Sequence, residues 1–364
     1  MLSAKYLKVV FILPIVWVGI IVFGVRGYGL DLSAETAVLL ESDSNTALYC
    51  KNAEQTMTMA STTKIMTALL ILENANLNSE ITVTKEMVAV EGTSMGLLPG
   101  DKVSVRELVY GMLLPSGNDA ANAAAYVLSG SIPEFANLMN EKAAVIGMTN
   151  THFVTPSGLD AEGHYSTAYD MALLGSYAIK NREFFNICST KSIRVDYGNP
   201  PYSRTLTNHN KLLSMYDDCI GVKTGFTKKS GRCLVSAAER DGVTLVAVTL
   251  NASDDWNDHI EMFEYGFSVT SRKSLDSSLK GIRLPVTGGK NSSVSLKLSF
   301  SPEITVCETY NPNVVREIYL KKFEYAPISA GTIVGEAVYI DSDTGKRILT
   351  VPIVTAGDVE TRSS

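Results

Sequence analysis

The chain has 364 residues, of which 45% are hydrophobic and 19% charged, and its net charge is −6. This composition is typical of a folded protein that is long enough for two domains, and it excludes an intrinsically disordered chain. No stretch rich in lysine and arginine is visible, which argues against nucleic acid as a partner.

The first 30 residues are typical of a targeting element. Lys5 and Lys8 precede residues 9–25, a run without charge, and Arg26 follows it. A positive segment before a long apolar run is characteristic of secretory signals, and this run is about as long as the shortest membrane-spanning helices. We therefore predict a signal peptide, or a membrane anchor if the segment is not cleaved. The rest of the chain is then expected in the cell envelope, secreted or held at the outer face of the cytoplasmic membrane.

A hairpin is predicted at residues 37–49, and an apolar helix is predicted to begin at Ser61, where a serine–threonine cluster could cap it. Ser61 and Lys64 are three residues apart, so their side chains share one face of such a helix. A lysine whose pKa is lowered by burial can take the proton of a serine hydroxyl. The pair could therefore activate a nucleophile, although a second Ser-x-x-Lys, at Ser277 and Lys280, shows that the spacing also arises by chance.

The middle of the chain predicts helices around a set of strands. Residues 80–108 are expected as mixed strand and loop. The predicted helices and strands are helices at 120–128, 135–145, 169–179 and 258–267 and strands at 220–226, 233–239 and 243–250. Asp241-Gly242 between the last two strands is a strong signal for a hairpin, so these strands are antiparallel neighbours. We predict an α+β fold in which an antiparallel β-sheet is flanked by helices and accompanied by an all-helical subregion.

Helical patterns are absent from the sequence after about residue 275. Residues 294–300 alternate between apolar and polar, and further short strands are expected at 304–306, 318–320, 333–340 and 348–354. This pattern predicts a small separate β-sandwich. The chain would thus comprise the targeting segment (1–30), a main domain (31–272), a small β-rich domain (273–358) and a polar tail (359–364).

The five cysteines are scattered and form no Cys-x-x-Cys pair. Their odd number leaves at least one thiol free, and a disulfide between Cys219 and Cys233 remains open. The four histidines are scattered too, and no zinc-binding spacing is present, which argues against a metallopeptidase.

Three short motifs occur in order, each in a different structural context. Ser61-x-x-Lys64 begins a helix, Ser116-Gly117-Asn118 lies in a loop before a helix, and Lys223-Thr224-Gly225 lies on a strand. Each alone could be a cap, a turn or a strand end. Their joint occurrence in this order resembles the signature of penicillin-binding proteins and serine β-lactamases.

The chain further resembles the D-alanyl-D-alanine carboxypeptidases, the low-molecular-mass class of penicillin-binding proteins. Residues 59–69, 113–122, 163–170 and 221–227 are similar to that family's blocks nearly residue for residue, within a match over roughly 33–270. The β-rich domain also resembles one often appended in this family. The resemblance implies a D,D-peptidase catalytic domain that removes the terminal D-alanine from peptidoglycan stem peptides ending in D-Ala-D-Ala. It also implies acylation by penicillins and other β-lactam antibiotics, with no metal or cofactor.

The resemblance implies a role for each motif residue. Ser61 would attack the carbonyl carbon of the D-Ala-D-Ala bond, with Lys64 as general base. Ser116 and Lys223 would relay a proton to the leaving amine, and Asn118 would hold the substrate amide.

The strand motif would complete the site. Lys223 and Thr224 would face the terminal carboxylate, with Gly225 next to them. The backbone N–H groups of Ser61 and Phe226 would form the oxyanion hole.

The chain departs from the family after the strand that ends near Leu250, where many members carry an arginine that helps to bind the substrate carboxylate. Residues 254–259 read Asp-Asp-Trp-Asn-Asp-His instead. His259 could supply part of the missing charge or could be an ordinary helix residue, and His164, which the family matches, is expected to be structural.

Three other functions are compatible with the same motifs to different degrees. A D,D-endopeptidase acting on crosslinks would use the same residues. A class A β-lactamase needs an activating glutamate, and no Glu-x-x-Leu-Asn follows Ser116. A non-catalytic penicillin-binding scaffold should have lost Ser61, Lys64 or Lys223, and all three are present.

Overall fold

The structure is a computed structural model that describes residues 29–362. The predicted targeting segment lies outside the described residues except for its last two positions. No helix within 29–362 has the length and apolarity that crossing a membrane requires.

The helices and strands follow one another along the chain with few long loops. The helices are α1 (Lys64–Asn74), α2 (Val105–Leu113), α3 (Asn118–Ser129), α4 (Ile132–Ile146), α5 (Ala168–Ile179), α6 (Arg182–Cys188), α7 (Leu212–Met215) and α8 (Asp255–Val269). The strands up to α8 are β1 (Thr36–Glu41), β2 (Thr46–Lys51), β3 (Glu80–Thr82), β4 (Lys102–Ser104), β5 (Ser192–Gly198), β6 (Pro201–Thr207), β7 (Cys219–Thr227), β8 (Gly231–Arg240) and β9 (Val243–Leu250). The later strands are β10 (Thr270–Ser274), β11 (Arg283–Thr287), β12 (Ser293–Leu298), β13 (Glu303–Cys307), β14 (Val314–Leu320), β15 (Glu324–Tyr325), β16 (Ile333–Asp341) and β17 (Arg347–Thr355).

A five-stranded antiparallel sheet with the order β2-β1-β9-β8-β7 forms the centre of the main domain. Strand β1, inside the sheet, is buried on both faces. Val38 and Leu40 belong to the apolar cluster on the side of α1 and α5, whereas Ala37 and Leu39 belong to the cluster on the side of α8. Because successive side chains of a strand point to opposite faces, one short apolar strand serves both layers. The predicted α+β fold is confirmed.

The helical subregion comprises α2, α3 and α4, which pack next to α1. The alanine-rich start of α3 is fully buried, so α3 can lie close to α1 and α2. The region predicted as strand and loop contains α2, so that prediction was wrong for residues 105–108. The local signal was present, since Ser104 and Glu107 form a reciprocal capping box at the start of α2. The β5–β6 hairpin was not predicted.

The β-rich C-terminal region contains a six-stranded sheet with the order β14-β16-β17-β12-β11-β15 and its own apolar cluster. Strand β13 pairs instead with β10, which continues directly from α8. The predicted tail is shorter than expected, because Val359 is buried and exchanges backbone hydrogen bonds with Ile328.

Candidate active site

Ser61 lies in a 3₁₀ turn, Ala60–Thr63, that leads into α1. Ala60 has a left-handed backbone with φ of 47°, which turns the chain sharply just before the serine. The expected capping of the helix by serine or threonine side chains is not observed, since neither the turn nor α1 has a side-chain cap. Thr62 instead donates its hydroxyl hydrogen to the carbonyl of Met59, 2.6 Å away, and so stabilises the turn itself.

Lys64 is the first residue of α1 and is fully buried. Its Nζ lies 2.8 Å from Ser61 Oγ, 2.7 Å from Asn118 Oδ1 and 2.6 Å from the carbonyl oxygen of Ser157. The last two oxygens can only accept, so they take the two N–H groups of a neutral amine. The amine lone pair is then left for the Ser61 hydroxyl. Burial and the charge of Lys223 hold the pKa of Lys64 well below its usual range, which favours this neutral form.

Ser116 and Asn118 lie where α3 begins, and both are buried. Asn118 is fixed at both ends of its amide, since its Nδ2 donates to the carbonyl of Glu91 at 2.7 Å while its Oδ1 accepts from Lys64. Ser116 has a left-handed backbone with φ of 65°. Among the described residues its hydroxyl makes no hydrogen bond to Lys64 or Lys223, although it lines the same cleft as Ser61 and Thr224, which these lysines contact.

Strand β7, at one edge of the sheet, carries Lys223, Thr224, Gly225 and Phe226. Lys223 is buried, donates to the carbonyl of Thr224 at 2.9 Å, and has a pKa that burial lowers to about 7. Gly225 faces the serine so closely that a Cβ there would lie 3.0 Å from the backbone nitrogen of Ser61. Only glycine therefore allows this approach without a shift of the turn or the strand.

His164 is buried behind the turn that carries Ser61. Its Nδ1 accepts from the backbone N–H of Val154 at 2.9 Å, so the hydrogen of a neutral ring is on Nε2, which lies 2.9 Å from Thr63 Oγ1. Burial lowers the pKa of His164 to about 4, so the ring is neutral near pH 7. These contacts support the structural role that the sequence predicts.

His259 does not face the cleft. It is fully buried between the sheet and α8, where its ring nitrogens contact the hydroxyls of Ser236 and Thr249. Burial lowers its pKa to about 3, so it carries no charge near pH 7. Of the two options that the sequence left open for His259, the structure favours the packed helix residue.

The cleft has a volume of about 500 Å³, and the strand and the serine turn form part of its wall. Several further residues line it to which the sequence analysis assigned no role: Thr93, His209, Lys211, Arg232, Asp255 and Trp256. Arg232 lies directly opposite Phe226 in the pairing of β8 with β7, which the sequence did not predict.

All five thiols lie within the described residues and are free. The disulfide that the sequence left open between Cys219 and Cys233 is therefore not formed. Burial raises the pKa of Cys219 to about 11 and that of Cys233 to about 12, which disfavours the reactive thiolate.

Comparisons with known proteins agree with this geometry. The family model of D-alanyl-D-alanine carboxypeptidases matches residues 25–254, and that of the C-terminal domain of penicillin-binding protein 5 matches residues 279–361. The chain is 33% identical to the D-alanyl-D-alanine carboxypeptidase DacF of Bacillus subtilis, over 86% of this chain and 83% of DacF. It is also 33% identical to the carboxypeptidase DacC of Escherichia coli, over 91% of this chain and 85% of DacC.

A solved structure extends the likeness to three dimensions. The crystal structure of the D-alanyl-D-alanine carboxypeptidase DacD from Francisella tularensis has a TM-score of 0.65 and 27% identity, and the match covers 93% of this chain and 96% of that one. The motif order, the cleft and these matches agree. The chain belongs to the D-alanyl-D-alanine carboxypeptidase family of serine-type penicillin-binding enzymes.

Proposed function

We propose that this carboxypeptidase acts through an acyl-enzyme formed on Ser61, with Lys64 as the general base. The observation that carries the proposal is the environment of Lys64 Nζ. Two oxygens that can only accept hydrogen bonds, from Asn118 and Ser157, take its N–H groups and direct its lone pair at Ser61 Oγ. Burial and the charge of Lys223 lower the pKa of Lys64 well below its usual range, which favours the neutral amine.

In the first step Ser61 Oγ bonds to the carbonyl carbon of the scissile D-Ala-D-Ala peptide, and its proton passes to Lys64. The negative charge that develops on the carbonyl oxygen is stabilised by the backbone N–H groups of Ser61 and Phe226. The close contact between Gly225 and the Ser61 nitrogen supports this arrangement, because it brings β7 directly beside the turn.

In the second step the C–N bond breaks and the terminal D-alanine leaves as an amine. Its nitrogen gains one proton, which Ser116 and Lys223 deliver. Lys64 passes the proton that it took from Ser61 on to Ser116 and Lys223, so Lys64 is neutral again in the acyl-enzyme. The Ser116 hydroxyl makes no hydrogen bond to either lysine in the free cleft, so we expect the substrate amine to complete the relay.

Water then attacks the ester carbonyl. Lys64 accepts one proton of the water and returns it to Ser61 as the acyl group leaves, so the cycle closes without a net gain of protons. Asn118 would hold the substrate's amide with the hydrogen-bonding capacity that its two protein contacts leave. Thr224 would face the terminal carboxylate.

The substrate would be the linear peptidoglycan stem peptide, and the site of action would be the cell envelope. The charged and apolar pattern of residues 1–30 supports export, and in that compartment the segment would act as a signal or as an anchor to the outer face of the membrane. A crosslinked stem peptide is the alternative substrate of the same residues.

The test is to incubate the purified full-length chain with benzylpenicillin and to measure its intact mass, with D-alanine release from a pentapeptide ending in D-Ala-D-Ala measured in parallel. Ser61→Ala should form no adduct and release no D-alanine. Ser277→Ala is the matched control, because Ser277 belongs to the chance Ser-x-x-Lys match outside the cleft.

Three other results would each contradict part of the proposal. Penicillin turnover without a lasting adduct would indicate a β-lactamase. Faster cleavage of a crosslinked dimer than of the pentapeptide would indicate an endopeptidase. No adduct and no release would indicate a scaffold.

A further inference from the structure

Arg232 lines the cleft, is held in place by an ion pair, and has no role in the proposed mechanism. Arg232 lies on β8 directly opposite Phe226, and its side chain is 41% exposed in the wall of the cleft. Its neighbour Asp255, on the first turn of α8, is only 3% exposed. Trp256 lies on the same turn, and its ring centroid is 5.3 Å from the guanidinium carbon.

The contact with Asp255 uses one side of the guanidinium and leaves another side free. Nε and Nη2 both donate to Asp255 Oδ1, at 3.0 and 2.5 Å. A guanidinium has five N–H groups, so one on Nη2 and two on Nη1 remain. Among the described residues none accepts from Nη1. The free pair, one N–H from each of these two nitrogens, has the fork geometry that binds a carboxylate with two parallel hydrogen bonds.

The other cations of the cleft are less suited to hold an anion. Burial lowers the pKa of Lys223 to about 7, and partial burial together with the charge of Lys223 lowers the pKa of His209. Lys211 is exposed, and its ammonium has no hydrogen-bond partner among residues 29–362, so binding a ligand would cost it side-chain freedom. Arg232 instead offers a planar guanidinium that Asp255 already holds in place.

We propose that Arg232 binds the terminal carboxylate of the substrate and so selects peptides with a free C-terminus, with Asp255 as the residue that positions its guanidinium. This inference rests on the proposed function, because it takes the D-Ala-D-Ala terminus as the ligand. The family's arginine after Leu250 is absent from this chain, and Arg232 on the neighbouring strand β8 would supply the positive charge instead. The same contact would disfavour a stem peptide whose terminal carboxyl group is already in an amide bond.

The test compares two substrates that differ only at the C-terminus: a peptide ending in D-Ala-D-Ala with a free carboxylate, and the same peptide as its carboxamide. In the full-length chain, Arg232→Gln should lower kcat/KM for the acid by about 10- to 100-fold, chiefly through KM, because a charge-assisted pair is lost. The rate for the carboxamide should stay within about twofold, so that the acid loses its advantage. Arg232→Lys keeps the charge without the fork and should recover only part of the loss.

Arg240→Gln is the matched control. Arg240 lies at the other end of the same strand, in ion pairs with Asp218 and Glu264, and it does not line the cleft. Its loss should leave the preference for the acid unchanged, and thermal unfolding of both variants separates an effect on folding from one on binding.

Four outcomes would overturn the inference. Acid kinetics of Arg232→Gln within twofold of wild type would do so, as would equal losses for the acid and the carboxamide. A loss of acid preference in Lys211→Gln but not in Arg232→Gln would move the role to Lys211. A wild-type chain that releases no D-alanine from the acid would refute the proposed function itself, and this inference with it.

Discussion

Replacement of Gly225 by alanine tests the contact between β7 and the serine turn. The added Cβ would lie 3.0 Å from the Ser61 nitrogen and 3.1 Å from both Ala60 Cβ and the Met59 oxygen. Ordinary carbon contacts are about 3.5–4.0 Å, so the turn and the strand would have to separate by about 0.5 Å. All three atoms belong to the backbone or to a short side chain, so no flexible side chain can move away instead.

The expected cost is modest for folding and large for catalysis. Overpacking of this size lowers the free energy of unfolding by about 1–3 kcal/mol. The Ser61 N–H is one of the two proposed donors to the oxyanion, and misplacing such a donor lowers kcat by about 100-fold. Alanine is otherwise compatible with this position, because Gly225 does not have a positive φ.

The assay is the rate of D-alanine release together with urea unfolding of the same sample. Gly175→Ala is the control. Gly175 lies on α5, outside the cleft, and its added Cβ would lie 3.0 Å from methyl groups of Val235 on β8 and Val246 on β9. That variant should keep the wild-type kcat. A folded Gly225→Ala variant with kcat within twofold of wild type would refute the assignment of the Ser61 N–H to the oxyanion hole.

Further predictions concern the base, the buried imidazole and the thiols. Lys64→Met removes the base but keeps a buried side chain, so acylation by benzylpenicillin, followed by intact mass, should slow by about 10²- to 10⁴-fold, and an unchanged rate would mean that another group is the base. Burial depresses the pKa of His259 to about 3, so the unfolded chain takes up its proton first. The stability that this ring contributes is complete above about pH 6.5 and is lost as the pH falls, by about 2 kcal/mol at pH 5. Urea unfolding at pH 5 and above about pH 6.5 should show a smaller loss of stability at the lower pH in His259→Gln than in the wild type. An equal loss in both would mean that His259 is not its cause. Thiol titration of the unfolded chain should count five groups, whereas three would indicate a Cys219–Cys233 disulfide.

The central sheet could be predicted because its strands are short, apolar and separated by clear turns. Strands β7, β8 and β9 agree with the prediction within three residues at each end, and the Asp241-Gly242 turn joins the last two as expected. The prediction missed α2, because its apolar residues follow directly on the short strand β4 and the two patterns overlap. The capping box of Ser104 and Glu107 was the one local signal that separates them.

The motif residues of the site were predictable, but the rest of the cleft was not. Three motifs far apart in sequence meet at one cleft, and their joint occurrence in this order and structural context, which resembles that of penicillin-binding proteins, indicated this. Arg232 and His209 belong to no motif, and only the pairing of β8 with β7 and the packing of α8 bring Arg232 to the same wall. Sequence patterns of burial cannot separate a cleft position from an ordinary surface position on a strand.

The place of β1 in the sheet has a consequence for the order in which the chain can fold. β1 is made well before β9, one of its two neighbours, which pairs Leu250 with Thr36 and Leu245 with Glu41. A growing chain that ends before residue 243 lacks this partner, so one edge of β1 has no strand to bond to until more than 200 further residues have been added. Contacts between such distant segments form slowly because a long loop must close first. The serine turn, only nine residues after β2, therefore cannot take its final place against β7 until nearly the whole main domain has been synthesised. A chain that has not yet completed β9 would accordingly remain inactive.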